Sequence, residues 1–217
     1  MSRTVIIGGH GKVALLAAPL LVADGHDVTS VVRNPEHVGD VQATGATAAV
    51  LDVENATTEQ IADVVRGSDV VVWSAGAGGG NPQRTYAVDR HAAIRSMEAA
   101  ALAGVGRYVM VSYFGAGPDH GVPEDNAFHA YADAKTAADA HLQGTGLAWT
   151  ILRPSTLTAE PATGHIESGA GVVAGRVSRD NVAHVLRSVV AHPETTGGRV
   201  IAFNDGYQAI DEVIASL

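Results

Sequence analysis

The chain has 217 residues, 46% of them apolar and 17% charged, with a formal net charge of −9. That length buries a full core and the apolar share excludes a disordered chain, while an acidic balance without a basic block argues against nucleic acid or an anionic membrane as a main partner. The absence of cysteine excludes disulfides, thiolate metal sites and cysteine nucleophiles.

Taken in chain order, Thr4–Ile7 reads as a buried strand and passes directly into Gly8-Gly9-His10-Gly11-Lys12-Val13-Ala14. Gly9, Gly11 and Ala14 fit the dinucleotide-binding spacing, and Gly8, Gly11 and Ala14 fit a looser version of it. One glycine permits a tight turn, a second lets the backbone approach a pyrophosphate, and a small third residue lets the next helix pack on the strand. Glycine turns also close hairpins, but here a strand precedes and a helix-forming stretch follows. That helix spans Lys12–Asp24, ends at Gly25, and carries Pro19, which removes a donor and should bend it. The apolar run Val13–Ala23 is too short to cross a bilayer and follows a strand, unlike a signal peptide, so a soluble cytoplasmic protein is expected.

Strands follow at Asp27–Val32 and Ala46–Leu51, a helix at Thr58–Arg66, and a strand at Asp69–Trp73 opening into the small-residue loop Ala75–Asn81. A long helix over Thr85–Ala103, a strand at Arg107–Val111, a helix at Ala127–Gln143 and a strand at Ala148–Leu152 come next. A helix over Val182–Ala191, a strand at Arg199–Phe203 and a helix over Tyr207–Ser216 complete the pattern. Apolar strands separated by helices predict an α/β fold, a Rossmann-type doubly wound parallel sheet covered on both faces, in one domain over 1–217.

Two stretches break the alternation, 113–126 and 154–179. Both follow strands, so both fall at the carboxyl edge where open α/β sheets bind ligands, and both are read as small substrate-covering loops. An NAD binder places an acid about 20 residues past its glycines to hold the ribose 2′-hydroxyl. Here Arg33 takes that place, followed by Asn34 and Pro35. A guanidinium suits a 2′-phosphate, which points to NADP(H) over NAD, the alternative being a solvated arginine capping a strand.

Further markers are Gly25-His26-Asp27-Val28, Leu51-Asp52-Val53, Val109-Met110-Val111-Ser112, Tyr131-Ala132-Asp133-Ala134-Lys135, Thr150-Ile151-Leu152-Arg153-Pro154 and Ser178-Arg179-Asp180-Asn181-Val182-Ala183. In this order and spacing, with the glycine turn, the chain resembles the short-chain dehydrogenase/reductase superfamily. It is most similar to the small atypical NAD(P)H-binding branch akin to the NmrA-like and flavin/biliverdin-reductase-like group. The resemblance implies that Lys12 neutralises phosphate, that Asp52 and Val53 border the adenine, and that Ala75 and Gly76 run along the adenosine. It also implies that Tyr131 donates or accepts the substrate proton, that Lys135 binds the nicotinamide ribose and lowers the phenol's pKa, and that Ser112 orients the substrate oxygen.

The residues themselves bear on that trio. Tyr131 and Lys135 stand at i and i+4 of a helical stretch and share a face. A phenol titrates at about 10 and works poorly near neutrality unless a cation stabilises its anion. Tyr131 as the cap of a hydrophobic wall is the alternative. Tyr113, Phe114 and Pro154 are candidate substrate contacts, with core packing the other reading of the two aromatics. His10 is open between the pyrophosphate and solvent, and Arg153 between an acidic ligand and an acid at the sheet edge. Asp180 and Asn181 read as a helix cap. The ten histidines show no HExxH-like spacing, so no metal is expected, although His120, His129 and His165 fall in or beside the loops. The expected function is an NADPH-dependent oxidoreductase passing hydride to a small carbonyl, quinone or flavin-like acceptor. The alternatives are a non-catalytic NADP(H) sensor acting through a protein partner and, last, a sugar-nucleotide epimerase or dehydratase.

Overall fold

The computed structural model describes residues 1–217. Its strands are β1 (Arg3–Ile7), β2 (Asp27–Val32), β3 (Thr47–Val50), β4 (Val70–Trp73), β5 (Arg107–Val111), β6 (Ala148–Pro154), β7 (Thr156–Thr158), β8 (His165–Ser168), β9 (Arg176–Ser178), β10 (Arg199–Asp205) and β11 (Gln208–Ala209). The helices are α1 (Lys12–Ala23), α2 (Val38–Ala43), α3 (Thr58–Val65), α4 (Pro82–Thr85), α5 (Ala93–Leu102), α6 (His129–Gln143), α7 (Arg179–Ala191), α8 (Pro193–Thr196) and α9 (Ile210–Ala215). A 3₁₀ turn, Pro35–His37, leads into α2, and a π-helical stretch, Tyr86–Ala92, joins α4 to α5. No helix is long and apolar enough to cross a membrane.

The main sheet runs β11-β8-β10-β6-β5-β4-β1-β2-β3. From β3 to β10 every pairing is parallel, which requires a crossover between strands, and the helices supply it. Alternate strand residues face opposite sides, so the period of two divides the core. Ile6, Val72, Val109 and Leu152 pack with α1 and α7, while Val5, Ile7, Val71 and Met110 pack with α3 and α5. Helix α1 runs unbroken through Pro19, which lies on its exposed side where a freed carbonyl is hydrated.

The fold class agrees with the sequence, with corrections at four places. The stretch 154–179 holds the end of β6 and three short strands, and β8 and β11 add to the sheet edge antiparallel. The helix expected over Thr85–Ala103 starts at Pro82, capped by Asn81, and loosens into the π-helical turn before α5. The helix expected over Tyr207–Ser216 gives its first residues to β11, because Gln208 and Ala209 pair with β8. Helix α2 was not anticipated. Its six residues are too few to show a period, and only Val41 among them is buried.

One feature of this topology positions the site. Strand β1 has β2 on one side and β4 on the other, so the chain leaves it in opposite directions and a crevice opens at the carboxyl ends of β1 and β4.

Candidate functional site: a dinucleotide cleft beside an aromatic cavity

The turn after β1 and the loop after β4 meet at that crevice. Gly8 holds φ of 89°, and a Cβ there would lie 2.5 Å from the Ala75 backbone. Gly8 and Gly11 line the crevice, whereas Gly9 is buried against β2, where a Cβ would meet Ser30 at 2.5 Å. The looser glycine spacing is therefore the one the turn uses at the cleft, with Ala14 fully buried beneath it. Helix α1 starts at Gly11 with no side-chain cap and no acid in its first turn. The amides of Lys12, Val13 and Ala14 consequently keep their donors free for an anion.

The half of the cleft beside β2 and β3, about 270 Å³, is lined by His10, Arg33, Leu51, Asp52, Val53, Ala75, Gly76 and Arg84. Of the residues singled out in the sequence, Gly8, His10, Gly11, Arg33, Asp52, Val53, Ala75 and Gly76 line this half, while Gly9 and Lys135 are buried and line neither half. Asp52 is turned inward on its own loop, accepting from Glu54 N at 3.2 Å and Asn55 Nδ2 at 2.7 Å. Glu54 was missed. It lies 3.5 Å from Arg33 and accepts from Arg84 Nε at 3.1 Å, so one carboxylate is shared by two guanidiniums. Arg84 also donates to Ala77 O at 2.6 Å. His10 neither floats in solvent nor stands alone: its Nε2 is 2.8 Å from Asp40, and its ring stacks on His37 at 3.6 Å.

The other half, about 320 Å³, is lined by Gly11, Lys12, Val13, Gly76, Asp89, Ser112, Tyr131, Leu157 and Arg179. Ser112, Tyr131 and Leu157 also line an adjoining cavity of about 410 Å³ with Tyr113, Phe114, Phe128 and Pro154. Tyr113, Phe128 and Tyr131 contact one another with ring centroids 5.1–5.5 Å apart. The structure therefore brings Tyr113, Phe114 and Pro154 together in one wall with Tyr131.

Beneath the wall lies a buried charge cluster. Lys135 is 1% exposed, and its Nζ donates to Val111 O at 2.7 Å rather than to Tyr131. Burial drives its ammonium below the ordinary lysine value, and the carboxylates of Asp89 and Asp139 oppose that. Ser112 Oγ donates to Asp139 at 2.9 Å, and Arg153 donates to the same oxygen through Nε at 3.2 Å and Nη2 at 3.0 Å. This settles Arg153 as the partner of an acid at the sheet edge. The expected lowering of the Tyr131 pKa by Lys135 is corrected here. Burial raises the phenol above its ordinary value, and the charges of Asp89 and Asp139 raise it further. Asp139 carries a signal in the sequence, since it continues the i, i+4, i+8 face of Tyr131 and Lys135. Asp89 does not, because it sits in the π-helical turn; there its Oδ2 accepts from Ala77 N at 3.0 Å while Oδ1 is left without a partner.

Of the histidines near the loops, His120 and His129 meet edge to face at 5.5 Å and His165 bonds to Thr163 O. Asn181 Nδ2 and Asp205 bridge at 2.6 Å, and Ser178, not Asp180, caps α7.

A mostly parallel sheet with an uncapped helix over a glycine turn at its switch point defines a dinucleotide-binding α/β protein. The comparisons agree. The NAD(P)H-binding family model matches residues 8–193, and the chain belongs to that family. It is 32% identical over 219 residues to the uncharacterized sugar epimerase YhfK of Bacillus subtilis, covering 99% of this chain and 100% of that one. Among solved structures, a Bacillus halodurans protein with the provisional name of an NAD-dependent epimerase/dehydratase superposes with a TM-score of 0.92 at 28% identity, over 100% of both chains. The oxidoreductase ylbE of Lactococcus lactis gives a TM-score of 0.87 at 29% identity, over 99% of this chain and 96% of that one.

Proposed function

We propose that the protein is an NADPH-dependent reductase of a flat, conjugated acceptor, such as a quinone, a flavin-like ring or a small conjugated carbonyl. One observation carries this reading: the aromatic cavity and the phosphate-side cleft share Ser112, Tyr131 and Leu157, so an acceptor and a nicotinamide would meet there. When bound, the cofactor supplies a hydride. The chain's own groups do the rest. The free amides at the start of α1 and Lys12 would hold the pyrophosphate, and Gly76, which lines both halves of the cleft, puts no side chain in the way of a nucleotide. Arg33 and Arg84 would hold the 2′-phosphate, two guanidiniums against the single carboxylate of Glu54. Tyr113, Phe128 and Tyr131 stack on the acceptor and exclude water from it.

For a carbonyl, Tyr131 is the proton donor within reach of the shared wall. Burial raises the phenol, which makes it a weak acid, but the alkoxide that hydride transfer leaves on a carbonyl is basic enough to take its proton. Epimerisation, the activity in the name of the Bacillus subtilis relative, would use Tyr131 as a base, and Lys135 Nζ, which would stabilise its anion, is spent on Val111 O.

The test is NADPH oxidation against a panel of quinones, free flavins and aldehydes, with Tyr131→Phe alongside. Turnover of at least one conjugated acceptor is expected. For aldehydes Tyr131→Phe should lower kcat by a factor on the order of 10², with little change for flavins. Saturable NADPH binding without turnover of any acceptor would instead support a redox sensor and refute the reductase reading.

A further inference from the structure

The segment Ser178-Arg179-Asp180-Asn181 opens α7, and three of its side chains are spent on structure. Ser178 Oγ accepts from Asn181 N at 2.9 Å, Asp180 accepts from Ala162 N at 3.0 Å, and Asn181 bonds to Thr163 and Asp205. Arg179 is the exception. Its Nη1 donates to Thr158 O at 2.7 Å, which ties the side chain to β7, and it lines the phosphate-side cleft with Gly11 and Lys12. The remaining N–H groups of its guanidinium have no protein acceptor. Nor has it a carboxylate in ion-pair reach, although the chain carries 23 acids against 14 lysines and arginines. Of the other arginines lining the cleft, Arg33 and Arg84 share the carboxylate of Glu54. Lys12, like Arg179, is unmatched. Two cations without counter-charges therefore line one cleft, the exposed Lys12 and a half-buried guanidinium whose remaining N–H groups an anion would satisfy.

We propose that Arg179 is a phosphate ligand, and that with Lys12 it clamps the nicotinamide-side phosphate of the dinucleotide. The inference rests on the cofactor reading above and extends it: the second half of the chain, through β7 and α7, closes over a phosphate presented by the first. It also gives the otherwise unused arginine of that segment a function distinct from helix capping.

The test is calorimetric binding to the full chain, using ligands that differ in phosphates. NADPH and 2′-phospho-ADP-ribose carry the nicotinamide-side phosphate, and adenosine 2′,5′-bisphosphate lacks it. Arg179→Gln should weaken the first two about tenfold and leave the bisphosphate within about twofold, with Arg179→Lys between, since a charge-assisted phosphate contact is lost and partly restored. Unchanged affinity for all three ligands would overturn the proposal, and a raised KM for the acceptor in that case would assign the guanidinium to an acidic acceptor. Equal losses on all three would overturn it as well, showing only that the tie to Thr158 O holds the fold. Wild-type protein that binds none of them would refute the cofactor reading itself, whereas tight wild-type binding with an indifferent Arg179→Gln refutes Arg179 alone.

Discussion

Replacing Asp139 by alanine removes the single oxygen on which Ser112 and Arg153 both depend. That oxygen accepts three hydrogen bonds, at 2.9, 3.0 and 3.2 Å, in a residue 1% exposed. The Arg153 side chain it neutralises is only 19% exposed, so water cannot take over the guanidinium freely. Removing one partner of a buried pair costs about 3–5 kcal/mol. Against that stands the burial of the carboxylate itself, which raises the Asp139 pKa and is relieved by the substitution. We expect a net loss of about 3 kcal/mol, or a Tm lower by roughly 6–12 °C for a chain of this size. Urea denaturation with an unchanged m-value measures it. The control is the double variant Asp139→Ala/Arg153→Met, which removes the stranded cation and should recover more than half of the loss. An Asp139→Ala cost below about 1 kcal/mol, or a double variant no more stable than the single one, would refute the buried-pair argument.

Three further outcomes follow from the same geometry. Gly8→Ala places a Cβ 2.5 Å from the Ala75 backbone at a φ that favours glycine. It should cost about 2 kcal/mol or more in urea and weaken NADPH by tenfold or more, both order-of-magnitude figures. Lys135 binds its proton less tightly when folded than when unfolded. Stability should therefore rise as pH rises through the window between its lowered folded value and the ordinary 10.5, and Lys135→Met should abolish that rise in unfolding measured at successive pH values. Finally, since the Tyr131 phenol is raised and not lowered, kcat for an aldehyde should show no basic limb near neutrality that Tyr131→Phe removes.

The fold was legible because its signals are local and repeated. Val5, Ile7, Val71 and Val109 fall in short apolar, β-branched runs, and Gly8 marks a turn whose φ of 89° favours glycine. The wall of the cleft beside β2 and β3 was legible for the same reason, since Arg33, Asp52 and Ala75 each fall within two residues of a strand end that could be read. The interior of the site was not. Lys135 and Tyr131 share a helix face, but nothing in their spacing says that Val111 O takes the amine. Glu54 is one acid among many until β3 brings its loop beside Arg33 and Arg84. Asp89 depends on a widened helical turn, which has no period to recognise. The short strands within 154–179 are invisible for a related reason: three or four residues are too few to show alternation, and pairing decides them, β7 with β9 and β8 with β10.

The central claim is that this cleft binds a phosphorylated dinucleotide through Arg33 and the glycine turn. Parallel titrations of wild-type protein and Arg33→Ala with NADPH and NADH test it most directly. The account requires saturable binding of NADPH, tighter than NADH by about tenfold or more, with Arg33→Ala reducing NADPH to the level of NADH. Equal affinities for the two cofactors, indifferent to Arg33→Ala, would contradict it.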